Sequence, residues 1–258
     1  MGRAPRPLLF LGASTAFLEI QEIIHDINKV EPRHTIIGLL DDDPMRHGEV
    51  VDGVPVLGPL LLARDHPEAD LVFVIGSYGT RLQRHRIIER LGLPDERFIS
   101  LVHPGAKVYP SAIIGPGSII HSGAVVASDV RLDGFNIVTF GAVIGPHTHL
   151  CRFAMVASMA VVLSGVELGA GSFVGAGSCV KDGVHVGAGA LIGMAAAVFR
   201  NVDEGVVVLG NPARTSYRVR VPPELVAMTR SAPVAPALPS LERTEGLTPT
   251  EQQRKLDT

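Results

Sequence analysis

The side chains best suited to moving a proton near neutral pH in this chain are its ten histidines. Imidazole has an ordinary pKa close to neutrality, which makes histidine the usual general base in enzymes. His147 and His149 form a local pair inside an aliphatic repeat and are the candidates for such a role. His121 and His185 stand singly in the same repeat and are predicted to be surface residues.

Three short segments have the composition of a nucleotide site. Gly12-Ala13-Ser14-Thr15, Asp41-Asp42-Asp43 and Gly76-Ser77-Tyr78 each follow a predicted buried strand. Because the carboxyl ends of parallel strands share one edge of a sheet, these segments should meet there. Amides that open a helix suit a phosphate, and a carboxylate suits a ribose hydroxyl or a base N–H. The full G-x-G-x-x-G pattern is absent, and in the simpler interpretation the glycines end strands and the aspartates cap a turn.

Alternating strand and helix patterns in residues 1–103 would position those segments. The order predicts a small Rossmann-like α/β domain, doubly wound around a parallel sheet. Buried strands are predicted at 7–11, 35–40, 71–75 and 98–101, a short edge strand at 54–57, and helices at 16–29 and 80–91.

Beyond residue 103, an aliphatic residue recurs at every sixth position without an insertion. A helix with 3.6 residues per turn cannot keep every sixth residue on one face, whereas a strand can, because six is a multiple of two. The hexads therefore predict a parallel β-helix in which three hexads close a triangular coil and residues eighteen apart stack in neighbouring coils. The aliphatic positions are Val108, Ile114, Ile120, Val126, Leu132, Val138, Ile144, Leu150, Val156, Val162, Leu168, Val174, Val180, Val186, Ile192 and Val198.

The residue before each aliphatic position points outward, which gives one column on each face. Two columns are apolar, and such faces are unusual on a monomer, so we expect both to be buried against other subunits of a trimer. The third alternates in charge and is predicted to be a solvated face with ion pairs. The columns are Val125, Val143, Val161, Cys179 and Ala197; Ile119, Ile137, Met155, Phe173 and Leu191; and Ile113, Arg131, His149, Glu167 and His185.

Composition argues against several classes of function. The formal charge is −3 and the basic residues are scattered along the sequence, so the sequence does not predict the positively charged surface that binds nucleic acid. Cys151 and Cys179 are expected to be reduced thiols of a cytoplasmic protein, and the apolar run at 8–11 is too short for membrane insertion. His149 and His185 lie two coils apart, about 10 Å, too far to share one metal ion. We therefore predict no metal.

Three motifs also stand in a characteristic order. Leu9-Phe10-Leu11-Gly12-Ala13-Ser14 opens the α/β region, His103-Pro104-Gly105-Ala106 precedes the hexads, and Val207-Val208-Leu209-Gly210-Asn211-Pro212-Ala213 ends them. Over about residues 7–217 the chain resembles the hexapeptide-repeat sugar acetyltransferases, in the branch that acts on nucleotide-linked amino sugars and sialic-acid-type sugars. The resemblance implies a nucleotide-sugar-binding domain at 1–103 and a left-handed β-helix acyltransferase domain at 104–217. The remainder, 218–258, is predicted to be a short helix and a disordered, proline-rich tail.

The resemblance also implies a homotrimer with acetyl-CoA as co-substrate in a groove between subunits, and a nucleotide sugar held by the N-terminal domain. The residues that match the nucleotide-sugar loops are Gly12, Ser14, Asp41, Asp42 and Gly76. The residues in the coils that line the coenzyme groove are Ser164, Gly165, Gly175, Gly193 and Asn211.

The chain departs from that family at its catalytic positions. Family members usually carry Glu-His-Asp where this chain has Gly145-Pro146-His147, and two further family histidines fall at Ala16 and Met155. Because proline cannot accept a proton, three alternatives follow: His147 takes over as base, with His149 in reserve, or the acceptor needs less help from a base, or catalysis is lost.

A backbone amide near Ser164-Gly165 is expected to hold the thioester oxygen. The leading hypothesis is a CoA-dependent acyl(acetyl)transferase acting on a nucleotide-linked sugar in polysaccharide or glycan biosynthesis. The alternative is a catalytically degenerate trimer that binds nucleotide sugar or CoA as a scaffold or regulator.

Overall fold

The computed structural model describes residues 4–230, which begin with a five-stranded sheet of order β3-β4-β2-β1-β5. Strands β4, β2, β1 and β5 run parallel, and only β3 is antiparallel to its neighbour. This confirms the predicted Rossmann-like sheet. The elements are β1 Arg6–Leu11, α1 Ala16–Val30, β2 His34–Leu40, β3 Val50–Val51, β4 Val54–Gly58, β5 Asp70–Phe73 and α2 Arg84–Leu91, with 3-10 turns at Pro44–Arg46, Leu60–Arg64 and Asp95–Arg97.

Apolar spacing explains how these elements pack. β1 lies between β2 and β5, and its residues Leu8 to Leu11 are fully buried, as a continuous apolar run in a two-sided parallel sheet should be. Helix α1 buries Phe17, Ile20 and Ile24, which lie three and four residues apart on one face. Gly92 ends α2 in the left-handed conformation at φ 56°, as expected for a glycine cap.

The predicted strand at 98–101 is divided between the two parts of the chain. Phe98 forms an isolated parallel β-bridge with Leu71 of the N-terminal sheet. β6, Leu101–Val102, instead pairs in parallel with residues Ile119 and Ile120 of the β-helix. The chain therefore passes from the sheet into the β-helix without a linker.

The hexad region forms sixteen two-residue strands, β7 to β22, in register with the sequence repeat. They are β7 Lys107–Val108, β8 Ile113–Ile114, β9 Ile119–Ile120, β10 Val125–Val126, β11 Arg131–Leu132, β12 Ile137–Val138, β13 Val143–Ile144, β14 His149–Leu150, β15 Met155–Val156, β16 Val161–Val162, β17 Glu167–Leu168, β18 Phe173–Val174, β19 Cys179–Val180, β20 His185–Val186, β21 Leu191–Ile192 and β22 Ala197–Val198. Pairs such as Val125↔Val143 and Met155↔Phe173 join residues eighteen apart, which confirms the predicted coil length.

Three parallel sheets form the sides of this prism. We name them the covered face (β6, β9, β12, β15, β18, β21), the open face (β7, β10, β13, β16, β19, β22) and the charged face (β8, β11, β14, β17, β20). The aliphatic member of each strand points inward, and the resulting core contains almost only Val, Ile, Leu and Ala.

Two apolar columns were expected to be buried against other subunits, and the column on the covered face does not fit that expectation. Its outward residues Ile119, Ile137, Met155 and Leu191 are buried within the single chain. Ile119 belongs to the same core cluster as Phe10 of the N-terminal sheet. The chain's own α/β domain therefore covers this face, and only the open face stays half-exposed as a surface for another subunit.

Aromatic corner residues bind the two parts together. Phe135 and Phe153 have φ of 53° and 65° at corners where neighbouring coils carry glycine. Their rings stack at 5.2 Å, and Phe135 also meets Phe98 and Phe73 at 5.1 Å and 6.1 Å. Burial of these rings in a shared core offsets the cost of left-handed backbone at a non-glycine residue. The N-terminal domain is thereby fixed against the β-helix.

The end of the prism carries one strand beyond the last hexad. β23, Val206–Leu209, extends the covered face by pairing Val207 with Leu191. β24, Arg214–Arg218, turns back antiparallel, and α3, Pro223–Arg230, confirms the predicted last helix by packing Leu225 against Gly171. The tail predicted to be disordered lies outside the described residues. Within 4–230, no helix combines the length and apolarity needed to cross a bilayer.

Candidate functional site

The three glycine and aspartate segments meet at one edge of the N-terminal sheet, as parallel strands require. Gly12 lies so close to the segment after β5 that a Cβ on it would stand 2.6 Å from Ile75 Cγ1. Its φ of 112° also excludes most other residues. From the β2 side, Asp41 Oδ2 accepts a hydrogen bond of 2.8 Å from the Ala13 amide. Gly76 follows directly on Ile75 and approaches Ile137 of the covered face.

The two predicted aspartates are largely engaged within the protein. Asp41 accepts from the amides of Ala13 and Asp43, and Arg46 lies 4.0 Å from it. Asp42 accepts from the Leu60 amide and pairs with Arg90 on α2. These carboxylates fix the shape of the loops, which is the simpler interpretation of their sequence pattern.

The start of α1 remains the part of this edge best suited to an anion. Thr15 occupies the N-cap position, but its side chain makes no capping hydrogen bond. Ser14 is exposed beside it. The first amides of a fifteen-residue helix carry partial positive charge, so a phosphate at Ser14 would be favoured.

His147 occupies a corner between the open and charged faces, and about half of its side chain is exposed. Its Nδ1 lies 3.7 Å from Oδ2 of Asp129, the residue one coil earlier in the same column. Both residues have left-handed backbone, with φ of 57° and 56°. A carboxylate beside an accessible imidazole can orient the ring. Sequence reasoning overlooked Asp129, although its spacing of eighteen from His147 is a usable signal.

His149 and His121 do not match their predicted surroundings. His149 is buried at 3% exposure, with its Nε2 2.9 Å from Asp133 Oδ2, so it does not share the accessible corner with His147. His121 was predicted at the surface but is also 3% exposed, with its ring 4.6 Å from that of Phe140. Burial, and secondarily the charge of His103, lowers the pKa of His121 to about 4. His185 is exposed, as predicted.

The predicted coenzyme residues fall on two different edges of the prism. Gly175 and Gly193 stack in successive coils between the covered and open faces, and Asn211 follows in the loop whose Gly210 carbonyl accepts from the Ala197 amide. A Cβ on Gly175 would lie 2.6 Å from the Ile192 carbonyl oxygen. These three residues form one glycine-lined edge.

A cavity of about 440 Å³ lies at the end of the prism and is lined by Pro212 and Ala213, which follow Asn211, and by Arg200 and Arg214. Two guanidinium groups in the wall of a cavity suit phosphate groups of a ligand. Sequence reasoning did not single out either arginine, since nothing in the hexad pattern marks them.

Ser164 and Gly165 lie across the open face, on the edge that also carries His147. The Ser164 amide donates to Asp182 Oδ1 at 3.0 Å, and the Gly165 amide donates to the Pro146 carbonyl at 2.9 Å. Both amides thus have acceptors within the chain. Neither of these two amides is therefore free to hold a thioester oxygen in this structure, and an amide near them in that role stays a prediction.

The three positions at which the resemblance implies histidines are also separated. Pro146 is on the edge with His147, whereas Met155 is buried on the covered face and Ala16 begins α1. Within one chain the open face separates Pro146 from the glycine-lined edge. A site that used both edges would therefore have to form between two chains.

Comparison with known proteins gives the same architecture. No protein-family model and no curated protein matches the sequence. The acetyltransferase domain of PglB from Neisseria gonorrhoeae, solved with acetyl coenzyme A, is 28% identical with a TM-score of 0.71, covering 83% of this chain and 100% of that chain. A histidine-to-asparagine variant of perosamine N-acetyltransferase from Caulobacter crescentus, solved with CoA and GDP-perosamine, is 24% identical with a TM-score of 0.72, covering 82% and 97%. WeeI from Acinetobacter baumannii is 20% identical with a TM-score of 0.67, covering 81% and 99%.

These similarities confirm two predictions. The chain has the α/β plus left-handed β-helix fold, and the resemblance to hexapeptide-repeat sugar acetyltransferases holds over both parts of the chain.

Proposed function

We propose that the chain is a CoA-dependent acyltransferase that transfers an acetyl group to a nucleotide-linked amino sugar. The observation that carries this proposal is the match, over both the α/β domain and the β-helix, to an acetyltransferase domain that binds acetyl coenzyme A. In this proposal the coenzyme lies along the edge of Gly175 and Gly193. The arginines of the cavity at the end of the prism would pair with the coenzyme phosphates.

The nucleotide part of the acceptor binds at the carboxyl edge of the N-terminal sheet. The uncapped start of α1 at Ser14 receives a phosphate, and Gly12 and Gly76 let the ligand approach the backbone closely. Asp41 and Asp42 accept hydrogen bonds from the surrounding loops. They therefore fix the shape of the nucleotide site more than they contact the nucleotide directly.

His147 acts as the general base. An amine or hydroxyl of the sugar attacks the thioester carbonyl carbon, a new C–N or C–O bond forms, and the C–S bond breaks to release CoA. The imidazole takes the proton of the attacking group, and Asp129 stabilises the imidazolium. His149 is buried on Asp133 and takes no part.

The active assembly is a homotrimer. The open face presents the half-exposed column Val125, Val143 and Val161, and Phe140 and Met159 are exposed on the adjoining edge. Such a continuous apolar strip favours contact with another copy of the chain, which would bring the His147 edge of one subunit beside the glycine-lined edge of the next. A cytoplasmic location and a place in polysaccharide synthesis stay predictions.

The test is a turnover assay with acetyl-CoA and a panel of nucleotide amino sugars, in which released CoA thiol and acetylated sugar are both measured. We expect stoichiometric formation of both products, and a loss of turnover of about 100-fold in His147→Gln. His185→Gln is the matched control, because that histidine is also exposed and also paired with a carboxylate, Glu167. Equal turnover of wild type and His147→Gln would remove His147 from the mechanism.

A second candidate function rests on the lost family histidines. Pro146 stands at the family's base position, and Met155 is packed as a core residue. If the trimer binds acetyl-CoA and a nucleotide sugar in calorimetry but forms no product with any acceptor in the panel, the chain is a binding trimer with a scaffold or regulatory role. Absence of coenzyme binding would contradict both candidates.

A further inference from the structure

Asp133, His149 and Cys151 bring a carboxylate, an imidazole and a thiol together on the charged face, away from both edges of the proposed transfer site. One ligand atom from each of these residues lies within 4.8 Å of the other two. Cys151 and His149 are buried, and the Asp133 side chain is 15% exposed. We propose that this cluster is a binding site for a divalent transition-metal ion of the zinc type. The proposal does not depend on the acyltransferase function.

The β-helix itself produces this convergence. Asp133 and Cys151 are eighteen residues apart and therefore stack in the same column of adjacent coils, and His149 precedes Cys151 by two residues on the same outward side of the chain. The backbone is fixed, because the amide of Cys151 donates to Leu168 and its carbonyl accepts from Asn136. The three side chains are thus held by rigid elements, as a metal site requires.

The cluster is incomplete as a hydrogen-bond network. His149 Nε2 faces Asp133 Oδ2 at 2.9 Å, while Nδ1 is buried without a hydrogen-bond partner among residues 4–230. Whichever tautomer the neutral ring adopts, one polar nitrogen has no partner, which is rare for a buried group. The buried thiol of Cys151 lies beside this ring and beside the carboxylate of Asp133.

The chemistry of the three groups selects the ion. Thiolate, imidazole and carboxylate together form a borderline-soft donor set that suits zinc, whereas calcium and magnesium prefer oxygen alone. A thiolate and a carboxylate would balance the charge of a divalent ion in a buried place. Arg131 donates to Asp133 Oδ1 at 2.7 Å and leaves Oδ2 on the side of His149.

A nucleophilic triad is the other role for these residue types, and the surroundings of the thiol oppose it. Burial, together with the carboxylates of Asp133 and Glu167, raises the pKa of Cys151 to about 12. The thiol is also inaccessible to a substrate. A metal ion displaces the thiol proton directly, so binding should release a proton and strengthen as pH rises.

The test uses Co²⁺ as a spectroscopic probe on full-length protein stripped of metal with a chelator. We expect one Co²⁺ per chain, with a near-ultraviolet thiolate-to-cobalt charge-transfer band that added Zn²⁺ abolishes. Cys179→Ser is the matched control, since Cys179 is the other free cysteine and is exposed on the open face. The band should persist in Cys179→Ser and disappear in Cys151→Ser.

Asp133→Asn provides a second variant at a less buried position, in case Cys151→Ser fails to fold by circular dichroism. It should weaken Co²⁺ binding by about 10-fold or more. A wild-type protein without the thiolate band at saturating Co²⁺ would overturn the proposal. A band of unchanged strength in Cys151→Ser would do so as well.

Discussion

Acidification should destabilise this protein through His121, and the size of the effect follows from the burial of that side chain. The ring is 3% exposed, its Nδ1 has no hydrogen-bond partner among residues 4–230, and burial lowers its pKa from 6.5 to about 4. In the unfolded chain the pKa returns to its ordinary value. Between pH 6.5 and 4 the unfolded state therefore binds a proton that the folded state does not.

The sign and magnitude come from proton linkage. The contribution of His121 is constant above its unfolded pKa and falls as pH drops through the window between the two pKa values. With values of 6.5 and about 4, the free energy of unfolding at pH 5 should be about 2 kcal/mol lower on account of this residue. The loss levels off below about pH 4.

The assay is urea unfolding at about pH 8 and about pH 5, followed by circular dichroism at one protein concentration. His121→Phe removes the titration and keeps an aromatic contact with Phe140, which lies 4.6 Å away. Burial also lowers the pKa of His34 and His85, but both are present in the two proteins, so their effects cancel. The wild type should lose about 2 kcal/mol more than the variant. Equal losses in the two proteins would refute the reasoning.

Three further predictions test the edges and the cysteines. Gly175→Ala should cost about 1–3 kcal/mol of stability and weaken acetyl-CoA binding, because the new methyl meets backbone of the next coil at 2.6 Å. Gly53→Ala, in the turn between β3 and β4 with nothing within 4 Å, should cost about 1 kcal/mol from its positive φ alone and leave coenzyme binding intact, as measured by unfolding and calorimetry. Pro146→His should raise turnover of the acyl-transfer reaction about 10-fold or more, and an unchanged rate would argue against a base at that position. At about pH 8 iodoacetamide should leave Cys151 unmodified until the protein unfolds, since the thiol is buried and burial raises its pKa to about 12; mass spectrometry of the Cys151 peptide with and without urea measures this.

Periodic features of the fold were predictable because their cause is local. An uninterrupted six-residue repeat permits few backbone structures, so the β-helix, its eighteen-residue coil and its three outward columns followed from spacing alone. The parallel N-terminal sheet followed from alternating strand and helix patterns, and the meeting of Gly12, Asp41 and Gly76 followed from the geometry of such sheets.

Burial and pairing of individual side chains were not predictable in the same way. Sequence reasoning assigned Met155 to an intersubunit face and His121 to the surface, but Met155 is buried within the single chain and His121 is buried against Phe140. Nothing in a repeat indicates which of its faces another domain of the same chain will cover. The engagement of the Ser164 amide by Asp182 is similarly a property of neighbouring coils.

The contrast between His147 and His149 shows where the division lies. The sequence determined that both histidines belong to one stretch of the β-helix, because the hexad register fixes each residue to a corner or a strand. Only the tertiary structure decided that His147 is accessible beside Asp129 while His149 is buried on Asp133 next to Cys151. Accessibility and partnership depend on residues sixteen or eighteen positions away and on the packing around them, which the local pattern does not specify.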